Sequence, residues 1–358
     1  MRTLIFIFLV SQFLTSQEIN KTIEIHPSNW EIFDGTKALF ETFDNRKTLL
    51  LNGKVFVKNI EFSNGTIEVD IYAKNTRSFA GIVFRRKAGN MEEVYLRMHK
   101  SNQIDAIQYT PTFNKDLSWQ LYNEYQAKVE FKEQGWNKLR IEVVDDKSTI
   151  YVNDTEVLKV DQLKTDHMKG EIGLFALFEN RFSNFKYIQK DIPDNFLGND
   201  NKLITDSTII SKWNLSQPFP YTNKEIDVTD FFDRDYKIVE TEKSGLLPIS
   251  KFIKKSSSGN FDNNEEAFAV AMKIIESDIE QRKVFSFDFS DKVIVYLNNQ
   301  PVFYGNNAFR SKGNQFMGHM NIDANKVSLN LKKGQNLLHC VVIERANGWG
   351  LIGKLIDF

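Results

Sequence analysis

A single cysteine, Cys340, occurs in the 358 residues, so no disulfide framework can form within the chain. A chain of this length buries substantial cores without such staples. Cys340 lies in the apolar run 337–343 and reads as a small buried hydrophobe, not a reactive thiol. Nowhere do the roughly 18 consecutive apolar residues appear that a membrane-spanning helix requires. Charge of one sign is also missing, with 46 basic and 47 acidic residues and a net charge of −1. No basic excess points to nucleic acid as a partner. The local cluster Lys251, Lys254 and Lys255 runs into Ser256-Ser257-Ser258-Gly259-Asn260 and reads as a solvated loop. Five histidines (His26, His99, His167, His319, His339) are scattered without paired spacing, which argues against zinc. No Gly-x-Ser-x-Gly elbow or phosphate loop occurs. The letters Gly348-Trp349-Gly350-Leu351-Ile352-Gly353 match a dinucleotide fingerprint, but the chain ends before the helix such a site needs.

What is present begins with an export signal: Arg2, an apolar run over 4–10, and a more polar stretch over 11–17, with cleavage expected near Ser16 or Gln17. No cysteine follows it to accept a lipid. The expected location is the periplasm or exterior of a bacterium. Two series of short alternating runs follow, over 18–188 and 205–358, separated by a polar stretch over 189–204 that contains Pro193 and Gly198 and reads as a linker. In the first series Ile67, Val69 and Ile71 share one strand face and Thr66, Glu68, Asp70 and Tyr72 the other. The runs 136–144, 148–152 and 157–160, joined by short polar turns, form a meander. In the second series Phe285, Phe287 and Phe289 share a face, and strands are expected over 292–297, 301–304 and 326–331. Periodicity does not decide 265–276, which is assigned as a strand from its neighbours. The fold class is all-β, with a jelly roll or β-sandwich in each half.

Residues 136–144, 150–154, Gly170-Glu171-Ile172-Gly173-Leu174 and Phe182-Ser183-Asn184-Phe185 resemble the concanavalin A-like lectin/glucanase (laminin G-like) jelly roll. The runs 94–99, 105–111 and 119–122 resemble a subgroup of such domains in exported bacterial proteins. Residues 293–298, 301–305, 334–336 and 348–350 are similar to galactose-binding-like jelly rolls that accompany glycan-processing enzymes. The resemblance implies fold more firmly than function, since these folds host lectins, enzymes and spacers alike. Laminarinase-type members of the first family carry a second acid after a Glu-x-Asp pair. Here Glu68-x-Asp70 is followed by Tyr72 and Ala73, which removes one of the two carboxyl groups a retaining glycosidase needs.

The candidate ligand-binding set is Arg97, His99, Asp105, Gln108, Tyr109, Asn114, Trp119, Gln120 and Tyr122. It combines planar hydrogen-bonding groups with aromatic faces that stack on a pyranose, and Tyr95, Arg97 and His99 alternate along one strand. The competing reading pairs Arg97 with Asp105 and places Trp119 and Tyr122 in the core. Three functions follow. One is an exported, non-catalytic glycan-binding protein taking an oligo- or polysaccharide. Another is a glycan-active hydrolase or lyase on unusual disaccharides, with His99 and Asp105 as its base pair. The last is a protein-interaction scaffold. The long polar segment 305–320, with Asn306, Asn307, Arg310, Lys312, Asn314 and His319, is a candidate second ligand loop. No cofactor is expected; Asp227, Asp230, Asp233 and Asp235 are the one cluster suggestive of a structural calcium.

Overall fold

The computed structural model describes residues 18–74, 76–190, 206–222, 224–255 and 265–357. The export segment 1–17 and most of the linker 189–204 lie outside the described residues. All strands before residue 190 join one antiparallel system of fourteen strands. Its main path runs Gln126–Ala127, Ile107–Phe113, Asn90–Arg97, Phe79–Lys87, Glu171–Lys190, Asn64–Tyr72, Trp136–Val144, Lys147–Val152 and Thr155–Val160. The long strand Glu171–Lys190 lets this system enclose a core. Its first part pairs with Phe79–Lys87, from Glu171↔Arg86 to Leu177↔Phe79. Its second part pairs with Asn64–Tyr72, from Arg181↔Tyr72 to Lys190↔Asn64. Between the two parts the pairing register breaks between Ala176 and Asn180, where Phe178 (φ 64°) and Glu179 (φ 45°) adopt left-handed backbone. The two sets of strands then face each other over one apolar cluster containing Ile67, Val69, Ile71, Val94, Leu96, Ile107, Leu139 and Ile141.

Alternation identifies the outer strands well. Asn64–Tyr72 and Trp136–Val144 bury every second residue. Outside, Glu68 pairs with Lys186 at 2.6 Å and Asp70 with Arg46 at 2.9 Å. Two strands break the rule: Ile107–Phe113 is buried at every position and Asn90–Arg97 at all but its first, although the latter carries Glu92, Glu93 and Arg97. Both faces of these strands are covered, and part of the outer cover is supplied by the C-terminal half.

That half contains a seven-stranded sheet (Tyr236–Glu240, Lys212–Ser216, Ala267–Ser277, Gly334–Glu344, Lys292–Leu297, Gln300–Asn306, with Phe219–Pro220) and a four-stranded one (Leu246–Pro248, Gly350–Asp357, Gln281–Ser290, Asn325–Leu331). The undecided segment 265–276 is the strand Ala267–Ser277. Phe285, Phe287 and Phe289 pack together inside, with Trp213, Cys340 and Trp349. Burial pushes the Cys340 thiol well above the usual range, so it serves as packing. No helix among the described residues is long and apolar enough to cross a membrane.

The halves meet along a polar seam. Asn114 Nδ2 donates to Ser250 O at 2.7 Å, and Gln120 Nε2 to Met317 O at 2.8 Å. Lys251 reaches Lys164 O and Asp166, both at 2.9 Å. Phe113, Leu121 and Tyr122 pack with Leu246 and Met320. Leu121 sits where Gly348 and Gly350 leave room: a Cβ on Gly350 would lie 2.6 Å from Leu121 Cδ2. Two of the three glycines of the false dinucleotide pattern, Gly348 and Gly350, therefore admit a side chain from the other half. Of the lysine cluster expected in a solvated loop, Lys254 is exposed, Lys251 lies in the short helix Ile249–Phe252, and Lys255 is buried. Lys255 is 2 % exposed, donating to Arg345 O at 2.8 Å and lying 3.5 Å from Asp116; the serine run after it lies outside the described residues.

Candidate functional site

The strand Asn90–Arg97 turns Val94 and Leu96 inward, which places Glu93, Tyr95 and Arg97 on the outer face by alternation. Gln108 faces Tyr95 across the ladder. Gln108 Oε1 accepts from Tyr95 OH at 3.1 Å, from Gln126 Nε2 at 3.1 Å, and from Arg97 Nη2. Its amide nitrogen donates to Trp119 O at 2.8 Å. Arg97 Nη1 donates to the carbonyl of Asp105 at 2.7 Å, and Nη2 also reaches Tyr95 OH at 3.1 Å. The Asp105 carboxylate is taken by Lys100 instead. Among the described residues no carboxylate comes within ion-pair distance of Arg97. A guanidinium only 3 % exposed therefore rests on neutral oxygens and on the Tyr95 ring, 5.1 Å from its centroid, with no carboxylate in direct contact.

His99 falls after the strand, in the 3₁₀ turn Met98–Lys100. Its Nδ1 lies 3.2 Å from Ser78 O, and its ring packs edge-on to Phe79 at 5.2 Å. His99 and Asp105 consequently do not form the expected base pair: each is held by another group. Burial, opposed by the Ser78 hydrogen bond and aided by Arg77, Lys100 and Arg97, keeps the His99 imidazole below its usual range.

The second expected loop arrives at the same place. His319 meets Trp119 edge-on at 5.8 Å, and Trp119 meets Phe309 at 5.6 Å. Burial first, then Arg97, lowers His319 to about 4, so it is neutral at physiological pH. Its Nε2 is buried without a hydrogen-bond partner among the described residues. The two sequence candidates, 97–122 and 305–320, thus share one site. Most of the second loop is structural. Asn306 Oδ1 accepts from Ala308 N, and Asn307 bridges Asp288 and Lys312. Arg310 and Asn314 are exposed.

The nine residues of the first set divide. Arg97, Gln108 and the Asp105 carbonyl form the buried array, with Trp119 and His99 half-buried beside it. Tyr109 turns to the core and donates to Glu92 at 2.6 Å. Asn114, Gln120 and Tyr122 are spent on the seam. Phe79 and Tyr95, 6.1 Å apart, complete the aromatic surface; Tyr95 was legible from alternation, whereas nothing local marks Phe79. Asp227 accepts from Thr229 N and Oγ1, capping the turn Val228–Phe231. Among the described residues no three His, Cys, Asp or Glu side chains are grouped to hold a metal.

The site offers the neutral His319 imidazole with the Trp119 and Phe309 rings at the seam, and His99 two residues beyond the buried Arg97 cation. Such a surface suits a polyol with apolar ring faces and an electron-rich oxygen. Residues 21–188, a little under half of the chain, match the family model described as the 3-keto-alpha-glucoside-1,2-lyase-like domain. No curated protein matches the chain. Among solved structures, the carbohydrate-binding module CBM66 from Bacillus subtilis is 17% identical, covering 46% of this chain and 96% of its own with a TM-score of 0.32. A putative glycosyl hydrolase from Parabacteroides distasonis is 13% identical, covering 46% and 89% at 0.34. The galectin LEC-6 of Caenorhabditis elegans is 14% identical, covering 46% and 99% at 0.30.

Proposed function

We propose that this chain is an exported protein that binds a carbohydrate at the seam between its halves, with His99, Trp119 and His319 touching the sugar and the Arg97–Gln108 array holding them in place. The observation that carries this reading is the meeting of His319 with Trp119 above a buried guanidinium that has no carboxylate partner among the described residues. A neutral imidazole can donate to or accept from a hydroxyl, and an indole edge packs on the ring carbons. The C-terminal half, as a galactose-binding-like jelly roll, serves as a partner that completes the site. Incubating the full chain on a glycan array tests the reading: retention of an α-glucoside-containing glycan is expected, with loss in Trp119→Ala. Retention that survives this change contradicts the assignment.

The family match over residues 21–188 favours a catalytic form of the same site. In a 3-keto-glucoside the ketone acidifies the C2 proton. Removal of that proton by a neutral imidazole, with the C1–O bond breaking and a C1=C2 double bond forming, is an elimination. The buried Arg97, whose terminal nitrogens are already engaged, favours the enolate oxygen only through its positive field. Release of methanol from methyl 3-keto-α-glucoside, lost in His319→Ala and in His99→Ala, is the expected result. No release by the wild-type chain leaves the binding form alone.

A further inference from the structure

The chain's one cysteine, Cys340, leaves the two halves without a disulfide between them. What lies buried across the seam is a lysine among three carboxyl groups. Asp116 comes from the two-residue strand Asp116–Leu117 of the N-terminal half. From the other half, Lys255 follows the short helix Ile249–Phe252 and Glu344 ends the strand Gly334–Glu344. Asp116 is 6 % exposed, Lys255 and Asp291 2 %, and Glu344 1 %. An ion pair out of water offsets its desolvation only when it is tight and its remaining oxygens and protons are hydrogen-bonded. This cluster meets neither condition. Lys255 Nζ stands 3.5 Å from Asp116 Oδ1 and gives its short bond, 2.8 Å, to the carbonyl of Arg345. Asp116 Oδ2 and Glu344 Oε2 are buried without a hydrogen-bond partner among the described residues. Asp291 differs. Its Oδ2 accepts from the backbone N–H of Arg345 at 3.0 Å and of Ala346 at 3.4 Å, so it is the carboxylate best placed to keep its charge. Burial, then Asp291, holds the proton on Glu344, and Lys255 and Asp116 are both near enough to act on it. An amine, an acyl carbon and a proton carrier are thus confined together out of water.

We propose that Lys255 and Asp116 condense into an isopeptide bond that joins the two halves covalently, with Glu344 carrying the proton. A proton first passes from the Lys255 ammonium to the Asp116 carboxylate, which burial raises to about 6 against the pull of Lys255, and two neutral partners result. The amine lone pair attacks Asp116 Cγ and the C–N bond forms. Glu344 gives its proton to the leaving oxygen and regains one from the nitrogen; the C–O bond breaks and one water departs. An ammonium and a carboxylate become one amide and one water, and nothing is oxidised or reduced. Holding the partners in contact raises their effective concentration to about 10⁵ M or more, which drives a condensation that dilute amines and acids do not undergo. The product settles what the separate side chains leave open. Its amide N–H keeps the Arg345 carbonyl, its carbonyl oxygen can accept from the Glu344 O–H, and Asp291 keeps its backbone donors. Until the bond closes, the four groups titrate separately. The proposal does not rest on the sugar reading.

The test is intact-mass spectrometry of the full chain, folded at neutral pH and then denatured, followed by peptide mapping. The wild-type chain is expected about 18 Da below its sequence mass, one water, with a peptide containing Asp116 joined to one containing Lys255. Lys255→Met and Asp116→Ala are expected at full sequence mass. Asp116→Asn, which keeps the side chain's shape, is expected to lose about 17 Da, ammonia in place of water. Glu344→Gln is expected to stay open over the time in which the wild-type chain closes; closure as complete as in the wild type overturns the part given to Glu344. A wild-type chain at full mass, a result that needs no variant to fold, overturns the bond. So does a water loss that maps within one peptide, as from a cyclised aspartate.

Discussion

The hydroxyl of Tyr122 donates to the Glu242 carboxylate at 2.5 Å, while Lys164 holds the other carboxylate oxygen at 2.9 Å. Tyr122 and Lys164 belong to the N-terminal half and Glu242 to the C-terminal half. Burial, then Glu242 itself, keeps the Tyr122 phenol well above its usual range, so it remains a neutral donor. The seam is therefore held by a charge-assisted hydrogen bond out of water, the kind whose loss costs about 1.5–3 kcal/mol. Tyr122→Phe is expected to lower the urea midpoint correspondingly, or to split unfolding into two transitions as the halves uncouple. A single transition at the wild-type midpoint would contradict this role.

Leu121 and Gly350 supply a steric test of the same seam. An alanine Cβ at 350 meets Leu121 Cδ2 at 2.6 Å, and overpacking of this sort costs about 1–3 kcal/mol. Gly350→Ala should destabilise the chain, and adding Leu121→Ala should recover part of the loss, giving a coupling of about 1 kcal/mol in a double-mutant cycle. Strict additivity would place the strain elsewhere.

A buried charge cluster makes stability depend on pH. Asp116, Asp291 and Glu344 surround Lys255, all nearly inaccessible, and Glu344 Oε2 and Asp116 Oδ2 have no hydrogen-bond partner among the described residues. Burial raises Asp116 and Asp291 to about 6, Lys255 opposing in both. Burial and the neighbouring Asp291 raise Glu344 well above the carboxylate range. A carboxyl that binds its proton more tightly when folded loses its contribution to stability as pH rises from its unfolded value, about 4, to its folded one. The two aspartates therefore weaken the fold between pH 4 and 6. His319 and His339, both lowered to about 4 chiefly by burial, act in the opposite direction up to about 6.5. Asp288, also raised to about 6 chiefly by burial, adds to the aspartates' slope, and Glu344 adds to it in the same direction. Glu344→Gln, which mimics the neutral acid, should gain stability relative to wild type in urea titrations as pH rises above the ordinary carboxylate value of about 4.3. Parallel profiles for the two chains would show Glu344 to be ionised already.

How much of this was legible in the residues depended on what covers each strand. Where one face meets the core and the other meets water, as at Ile67, Val69 and Ile71, or where three phenylalanines line up as at 285, 287 and 289, period-two alternation located strand and core together. Alternation fails when both faces are covered. Tyr95 and Arg97 read as a presented face, yet that face lies beneath other groups, so residues suited to meeting a ligand are themselves buried. Lys255 looked like part of a solvated run because its partner, Asp116, is far away in the chain. The convergence of His319 with Trp119 is likewise a product of how the halves dock, for which neither segment carries a local signal. The Phe178 break has no glycine or proline to announce it.

The central claim is that the sugar site is composite, with one half supplying Trp119 and His99 and the other His319. Calorimetric titration of His319→Ala with the glycan retained by the wild-type chain tests it most directly, because the substitution lies outside the half that matches the lyase-like family. The account predicts an affinity loss of at least about tenfold, one lost hydrogen bond to a desolvated partner, with the thermal midpoint preserved. Wild-type affinity in His319→Ala would show that the N-terminal half binds alone and that the seam is only a joint.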